Sequence, residues 1–134
     1  MTTPDLTFVL GGARSGKSRH AEQLAQALAA PPERRVTYVA TARQADDAEF
    51  AARIAHHRAR RPAHWRVVEA DVDLARAIRA ADDGRTCILV DCLTLWLVNL
   101  ISPAGPDRDA CLPDELAMRV DALESALAQS KGPV

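Results

Sequence analysis

Short apolar runs along the chain alternate with longer stretches in which apolar positions recur at helical spacing. The runs are typical of strands buried on both faces of a sheet, and each is followed by a stretch of helical periodicity. The predicted strands cover residues 6–10, 35–40, 65–70 and 87–91, and the predicted helices cover residues 17–30, 45–61, 72–82 and 93–101. Strand followed by helix, four times in succession, predicts crossover units and therefore a mostly parallel sheet with helices on both faces.

The pattern changes after residue 101. Residues 102–115 form a connection punctuated by proline and glycine, and Pro113 suits the first turn of a last helix that should reach Gln129. The final residues, 131–134, look like a turn followed by the first residue of another strand. A sheet of this type normally continues, so we expect a single domain over residues 1–134 that lacks its last C-terminal strands, although a short disordered tail is the alternative.

Length and composition fit one compact globular domain. The chain has 134 residues, of which 48% are hydrophobic and 26% are charged, which is enough to bury a core. The formal net charge of -1 argues against binding of nucleic acid by bulk electrostatics, because acidic residues balance the arginines along the chain. Small molecules are therefore the expected partners.

The cysteines and the N-terminus bear on the cellular compartment. Cys87, Cys92 and Cys111 form neither a CxxC motif nor a cluster with histidine, so we interpret them as reduced structural thiols. The N-terminus has no basic segment followed by a long apolar one, and no stretch approaches the ~20 apolar residues of a membrane span. The sequence therefore predicts a cytoplasmic protein.

A phosphate-binding motif lies between the first predicted strand and the first predicted helix. Residues 11–18, "GGARSGKS", match the pattern GxxxxGK[ST]. Backbone amides of such a loop point at phosphate oxygens, so the predicted nucleotide-binding residues are Gly11, Gly12, Ala13, Arg14, Ser15, Gly16, Lys17 and Ser18. Lys17 should reach the β- and γ-phosphates, and Ser18 should bind Mg²⁺. The motif in this setting predicts an α/β fold of the P-loop NTPase type, with three layers.

Asp91 is the second candidate for the magnesium site. It ends the apolar run at residues 87–91, and a carboxylate at the carboxyl end of a parallel strand opens into the same crevice as the phosphate loop. It can hold the ion through water. An alternative is that Asp91 caps the following helix, and both roles can coexist. The NKxD motif that specifies guanine in regulatory GTPases is absent, which disfavours a switch GTPase.

Two adjacent histidines lie in an arginine-rich stretch of the predicted helix at residues 45–61. At 100° per residue, His57 follows the apolar stripe of Phe50 and Ile54, so we interpret it as a packed residue. His56 shares its side of the helix with Glu49, Arg53 and Arg60. There an imidazole is kept neutral by positive charge and is available as a nucleophile, although a solvated histidine on a charged face is the alternative.

Four segments together resemble one enzyme family. They are "GGARSGKSRHAE" at 11–22, "YVAT" at 38–41, "AARIAHHRARRPAHW" at 51–65 and "DCLTLWLVNL" at 91–100. This combination is similar to the adenosylcobinamide kinase/adenosylcobinamide-phosphate guanylyltransferase family of cobalamin biosynthesis. Members of that family continue beyond the position of Val134 with further strands and a helix.

The resemblance implies two reactions. A nucleoside triphosphate, ATP or GTP, phosphorylates the hydroxyl of the aminopropanol arm of adenosylcobinamide. GTP then donates GMP to that phosphate and pyrophosphate is released. By the same resemblance, His56 is the residue that becomes guanylylated, and a threefold assembly is the expected quaternary structure.

Several further residues are candidates for contacts. Glu69, at the end of a predicted strand, can accept hydrogen bonds from the guanine N1–H and exocyclic amine, although an ordinary acid at a strand end is the alternative. Thr41 and Arg61 are candidates for phosphate or ribose contacts. The structural residues are expected to be His20, His64, Trp65 and Trp96.

Two rival functions remain. A plain P-loop kinase for small molecules would need no histidine nucleophile. A nucleotide-binding regulatory module would use the arginines of residues 53–66 to contact nucleic acid, and the net charge of -1 argues against it.

Overall fold

The computed structural model describes residues 5–12, 15–33, 35–41, 65–70, 72–101 and 112–134. These residues form an α/β unit in which helices pack on a parallel sheet. In chain order, the elements are α1 (Lys17–Leu28), β1 (Val36–Ala40), β2 (Arg66–Glu69), α2 (Leu74–Ala81), β3 (Cys87–Asp91), α3 (Leu93–Ile101) and α4 (Pro113–Ala128).

The three described strands form one parallel sheet in the order β2-β1-β3. β1 lies in the centre and is buried along almost its whole length, as expected for an apolar strand with a neighbour on each side. Its last residue, Ala40, pairs with Glu69 of β2 and with Asp91 of β3. The carboxyl ends of all three strands therefore meet at one edge of the sheet.

Alternate side chains of the strands belong to two separate apolar clusters, one on each face of the sheet. On one face, Val36 and Tyr38 pack with two alanines. Ala25 lies in the last part of α1, and Ala29 follows the end of the helix. The larger cluster on the other face joins strand residues to α2, α3 and α4, and its members include Val39, Ile88, Leu74, Ile78, Trp96, Leu100 and Leu123. Helices thus cover both faces, which confirms the layered α/β arrangement predicted from the sequence.

Most predicted elements within the described residues are confirmed. The bounds of β3 and α3 are those predicted, and α4 begins at Pro113, whose missing N–H costs nothing in the first turn. α1 ends at Leu28, shortly before Pro31 and Pro32. The predicted helix at residues 45–61 lies outside the described residues.

The strand predicted at residues 6–10 is wrong, because residues 5–12 have no regular secondary structure. Thr7 N–H donates to the Val134 carbonyl, and Val134 N–H donates to the Asp5 carbonyl, both at 2.9 Å. Both bonds lie at the beginning of the segment. The apolar side chain of Leu10 is 82% exposed.

The C-terminal residues lie against β3. The Ile88 N–H donates to the Pro133 carbonyl at 2.9 Å, on the edge of β3 that faces away from β1. Residues 133 and 134 therefore bridge β3 and the segment that precedes the phosphate loop. Among the helices of the described part of the chain, none combines the length and apolar character needed to cross a membrane.

Candidate nucleotide site

The described part of the phosphate loop has glycine at two positions where a side chain would be strained or crowded. Gly16 has a φ of 84°, a left-handed conformation that side chains disfavour, and it occupies the N-cap position of α1. A Cβ on Gly11 would lie 2.5 Å from Ser15 Oγ, which is too close for any real contact. The loop therefore closes tightly on itself immediately before the helix, as the motif predicts.

The N-terminus of α1 presents free backbone donors. The first intrahelical bond runs from His20 N–H to the Gly16 carbonyl at 3.0 Å, so the amides of Lys17 and Ser18 precede the helical ladder. Gly16 supplies no side-chain cap, and the first turn contains no acidic residue. Unsatisfied amides and the helix dipole together make this end of α1 suited to bind an anion.

Lys17 adds a full positive charge at the same place. Its Nζ lies 3.5 Å from the Gly12 carbonyl, across the loop. The contact is exposed, so the ammonium can turn towards a ligand without leaving a buried position. The lysine is thus held near the loop by a weak bond that a phosphate oxygen can replace.

Asp91 ends β3 and receives a hydrogen bond from the central strand. Among the described residues, the one donor to its carboxylate is the Tyr38 hydroxyl, at 2.5 Å from Oδ2. Tyr38 is only 4% exposed, and a buried phenol of this kind needs a polar partner for its hydroxyl. Tyr38 was not among the site residues predicted from the sequence, although a single tyrosine in an apolar strand is a signal that such a partner exists.

Thr41 braces the ends of β1 and β3. Its side chain is 0% exposed, its hydroxyl donates to the Cys92 carbonyl at 2.7 Å, and the Cys92 N–H donates back to the same hydroxyl at 2.8 Å. Asn99 Nδ2 donates to the Thr41 carbonyl at 2.7 Å, and Thr41 N–H donates to the Asp91 carbonyl at 3.1 Å. The proposed contact of Thr41 with phosphate or ribose stays a prediction, and the structure gives its hydroxyl a bracing role.

Cys92, rather than Asp91, caps α3. The Cys92 carbonyl accepts the first intrahelical bond, from Trp96 N–H at 3.2 Å, and its Sγ accepts the Leu95 N–H at 3.5 Å. The alternative in which Asp91 serves as the helix cap is therefore wrong, because the cap position lies one residue further along. The Asp91 side chain is engaged with Tyr38 instead.

One cavity brings the candidate residues together. It has a volume of about 230 Å³, and Gly11, Lys17, Ser18 and Asp91 are among the residues that line it. Its remaining wall is largely apolar, with side chains from the segment at 6–10, from β3 and from α4. An ammonium, a hydroxyl and a carboxylate thus face a common space beside the N-terminus of α1, and the latter two are oxygen ligands of the type that Mg²⁺ prefers.

Glu69 lies at the same edge of the sheet, two strands away from Asp91. Both pair with Ala40 in the register of the parallel strands, so their Cα atoms are separated by two strand spacings, roughly 10 Å. Residues paired in this way point to the same face, which is the face covered by α1. Glu69 is exposed, and its contact with guanine stays a prediction.

The predicted histidine nucleophile belongs to a part of the chain outside the described residues. Outside the described residues lie several residues singled out from the sequence, namely Ala13, Arg14, His56, His57, Arg61, His64 and Cys111. His20 is exposed on α1, whereas Trp65 and Trp96 are buried, and the Trp96 Nε1 donates to the Val72 carbonyl at 2.8 Å. The two tryptophans therefore fill the core as predicted.

The described cysteines are free thiols, as the sequence predicts. Burial, with a smaller contribution from the Asp5 carboxylate, raises the pKa of the Cys87 thiol to about 11. Cys87 is therefore un-ionised at neutral pH and chemically inert. Within the described residues, no group of three or more histidine, cysteine and acidic side chains could hold a metal ion.

Comparison with known proteins identifies relatives over almost the whole chain. The family model described as "Cobinamide kinase / cobinamide phosphate guanyltransferase" matches residues 7–134. The bifunctional adenosylcobalamin biosynthesis protein CobP of Pseudomonas aeruginosa is 55% identical over 101 residues, which cover 75% of this chain and 56% of CobP. The bifunctional adenosylcobalamin biosynthesis protein CobU of Escherichia coli is 44% identical over 110 residues, covering 82% of this chain and 56% of that CobU.

A third relative gives the same result. The bifunctional adenosylcobalamin biosynthesis protein CobU of Salmonella typhimurium is 43% identical over 113 residues, covering 84% of this chain and 59% of that protein. The chain thus spans little more than half the length of the curated relatives it matches.

Proposed function

Because the chain belongs to the cobinamide kinase / cobinamide phosphate guanyltransferase family, we propose that it carries out both reactions named for that family. It phosphorylates adenosylcobinamide with ATP or GTP, and it transfers GMP from GTP to adenosylcobinamide phosphate. The observation that carries the proposal is the cavity in which Lys17, Ser18 and Asp91 meet at the N-terminus of α1. A triphosphate is the ligand that this set of groups fits best.

The proposed fold is of the P-loop NTPase type. Three features support this assignment: the GxxxxGK[ST] loop before α1, the left-handed Gly16, and the parallel sheet whose carboxyl edge carries Asp91. In such a site the loop wraps around the phosphates, so that its backbone amides point at their oxygens and Lys17 approaches the β- and γ-phosphates. The same loop serves both reactions, since each begins from a nucleoside triphosphate.

In the kinase reaction, the attacking group is the hydroxyl of the aminopropanol arm. Its oxygen forms a bond to the γ-phosphorus and its proton is released to solvent, while the bond between that phosphorus and the β,γ-bridging oxygen breaks and the nucleoside diphosphate leaves. Lys17 and the amides at the start of α1 stabilise the charge that develops on the phosphate oxygens. Ser18 and Asp91 are the residues that would hold Mg²⁺, which supplies further neutralisation of that charge when bound.

In the guanylyl transfer, His56 is the proposed nucleophile. A neutral imidazole nitrogen forms a bond to the α-phosphorus of GTP, the bond to the α,β-bridging oxygen breaks, and pyrophosphate leaves. A phosphate oxygen of adenosylcobinamide phosphate then attacks the same phosphorus, the P–N bond breaks, and adenosylcobinamide-GDP is released. Glu69 is the proposed acceptor for the guanine N1–H and amine, which would give preference for GTP in this step. Arg61 and Thr41 are proposed to contact phosphate or ribose.

Labelling with GTP that carries ³²P in the α-phosphate tests the second reaction. With Mg²⁺ and no corrinoid, the protein should retain label as an acid-labile, base-stable adduct. His56→Ala should eliminate labelling and guanylyl transfer while leaving much of the phosphorylation of adenosylcobinamide. His57→Ala is the comparison variant, because it changes the adjacent residue: it should weaken the packing of the predicted helix and lower both activities together, without moving the label from His56.

The outcome distinguishes the proposal from its main rival. A protein that phosphorylates adenosylcobinamide but never retains α-phosphate label would be a plain small-molecule kinase. Label that survives in His56→Ala would overturn the assignment of the nucleophile. We further propose a homotrimer, by resemblance to the family, and a cytoplasmic location, since the nucleoside triphosphates it uses are cytoplasmic metabolites.

A further inference from the structure

We propose that Tyr38 is a positioning residue, which fixes the Asp91 carboxylate in the orientation that receives Mg²⁺ together with Ser18. The inference rests on the proposed function for the identity of the ion. It rests on contacts of the described residues for everything else: the Tyr38 hydroxyl lies 2.5 Å from Asp91 Oδ2, and Asp91 lines the cavity with Lys17 and Ser18.

The main chain at Asp91 is held independently of Tyr38. The Thr41 N–H donates to the Asp91 carbonyl at 3.1 Å, and the Thr41 hydroxyl is bonded to both backbone groups of Cys92. Asn99 in turn holds the Thr41 carbonyl. With the backbone on both sides of the peptide fixed, the remaining freedom of Asp91 is rotation about its two side-chain torsions.

Tyr38 removes that freedom. Its ring is buried in the cluster between the sheet and α1, so the hydroxyl has little room to move. Tyr38 pairs with Leu89 in the sheet register, and the phenol therefore reaches forward along β3 to the carboxylate that ends it. A donor held this rigidly selects one orientation of the carboxylate.

The hydrogen bond leaves the second carboxylate oxygen for other ligands. Oδ2 accepts the phenol hydrogen, and Oδ1 belongs to a side chain that lines the cavity. Partners of this type typically change metal affinity by about 10–100-fold, because they order the ligand before the ion arrives. Removal of the hydroxyl should therefore weaken Mg²⁺ binding and leave the contacts of the nucleotide with the loop intact.

Fluorescence titration with N-methylanthraniloyl-GTP separates these two effects. The affinity for the analogue is measured in EDTA, and the Mg²⁺ concentration that half-saturates the tightening of binding is measured next. Tyr38→Phe retains the ring and removes the hydroxyl. Thr37→Val is the matched control, since it also removes a buried hydroxyl from β1 but from the neighbouring residue, which faces the other side of the sheet.

We expect Tyr38→Phe to raise the half-saturating Mg²⁺ concentration by about tenfold, with affinity in EDTA unchanged. Thr37→Val should change neither quantity, and Asp91→Asn should lose the Mg²⁺-dependent tightening. If Asp91→Asn loses it while Tyr38→Phe behaves like the wild type, the positioning role of Tyr38 is overturned and the proposed function stands. If Asp91→Asn retains it, the magnesium site of the proposed function fails, and the role of Tyr38 towards the ion fails with it.

A spectroscopic signature requires no change at Tyr38. Tyr38 is the only tyrosine in the sequence, so a protein labelled with [¹³C]ζ-tyrosine gives a single ring-carbon resonance. That resonance should shift in Asp91→Asn, and in the wild type it should shift when Mg²⁺ is added to the GTP complex but not when GTP is added in EDTA. A resonance unaffected by Asp91→Asn would show that the hydrogen bond does not form, and would overturn the inference even if Tyr38→Phe fails to fold.

Discussion

The two ends of β3 use aspartates in opposite ways. Before the strand, the Asp82 carboxylate accepts the N–H groups of Gly84, Lys131 and Gly132 at 2.7–3.2 Å. After the strand, Asp91 accepts one side-chain hydroxyl and faces the cavity beside α1. An aspartate thus accepts hydrogen bonds from the backbone at one end of β3, whereas at the other end an aspartate carboxylate faces the cavity and is available to bind a ligand.

Asp83 strengthens the contrast at the first end. Its Oδ1 accepts the N–H groups of Arg85 and Thr86, and its Oδ2 accepts the Thr86 hydroxyl. The turn that these bonds form lies against the C-terminal residues, where a Cβ on Gly132 would lie 3.0 Å from the Thr86 carbonyl oxygen. A carboxylate surrounded by its own backbone is a structural device, whereas one that faces a cavity beside a lysine is available for chemistry.

The largest expected effect is that of a substitution in the cavity. Lys17→Ala removes the charge that faces the β- and γ-phosphates, and we expect kcat/KM in both proposed reactions to fall by roughly 100–1,000-fold. Lys131→Ala is the matched control, since Lys131 is exposed at the structural end and only its backbone N–H is bonded to Asp82. Steady-state assays with adenosylcobinamide check this prediction, and a comparable loss in both variants would contradict the division between the two ends.

Asp82→Ala should have the opposite result, with a loss of stability and almost no change in nucleotide affinity. Three backbone N–H groups lose their acceptor, and we expect the free energy of unfolding to fall by about 2–3 kcal/mol. The affinity for N-methylanthraniloyl-GTP, measured where the variant is still folded, should change by less than about twofold, since the substitution lies at the opposite end of β3 from the cavity. Urea denaturation gives the stability. A fall in nucleotide affinity without a fall in stability would contradict the structural role assigned to Asp82.

Substitutions of Thr41 test whether its hydrogen bonds with Cys92, at the cavity end of β3, stabilise the fold. Thr41→Val leaves the partly buried Cys92 N–H without its hydroxyl partner, so we expect a loss of about 1–3 kcal/mol in the free energy of unfolding. Thr41→Ser keeps the hydroxyl and should recover most of that loss. A serine variant that is stable but binds the GTP analogue at least tenfold more weakly would instead favour direct contact of this residue with nucleotide.

The smallest effect is the pH dependence at Asp83. Hydrogen bonds from the backbone of Thr86, and then of Arg85, hold the pKa of this carboxyl below its ordinary value of 3.8. Because the folded pKa lies below the unfolded one, its contribution to stability is present above about pH 4 and is lost as pH falls through the folded value. Asp83→Asn should therefore flatten the acid limb of the stability curve slightly, and thermal melts between pH 3 and pH 7 would reveal an unchanged limb if the bonds contribute nothing.

The sequence predicted best those elements whose signal is local. The run at 87–91 is apolar and ends in an aspartate, and the next residues are apolar at helical spacing, so β3 and α3 were predicted with their observed bounds. The segment at 6–10 carries the same apolar signal, yet a strand also needs neighbours along its length, and the described structure supplies one only at its beginning. Contacts with distant parts of the chain, rather than the local apolar pattern, therefore determined the structure of this segment.

The contacts around Asp91 were beyond local reasoning. The position of Asp91 at the end of an apolar run predicted that its carboxylate opens into the crevice of the loop, and in the structure Lys17, Ser18 and Asp91 line one cavity. The donor on that carboxylate, Tyr38, is 53 residues away in sequence, and the brace between Thr41 and Cys92 joins residues 51 apart. Such pairs depend on strand order and register, which periodicity does not specify.

The bonds at the two ends of β3 also bear on how quickly the protein folds. Asp82 meets Gly132 across 50 residues, and Tyr38 meets Asp91 across 53. Loops of this length must close before either contact can form, and proteins dominated by such distant pairings fold slowly compared with those built from local contacts. Completion of the sheet around β3 should therefore be a late event in folding. Newly made chains would then spend longest with the apolar faces of α2 and α4 uncovered, in the state from which aggregation begins.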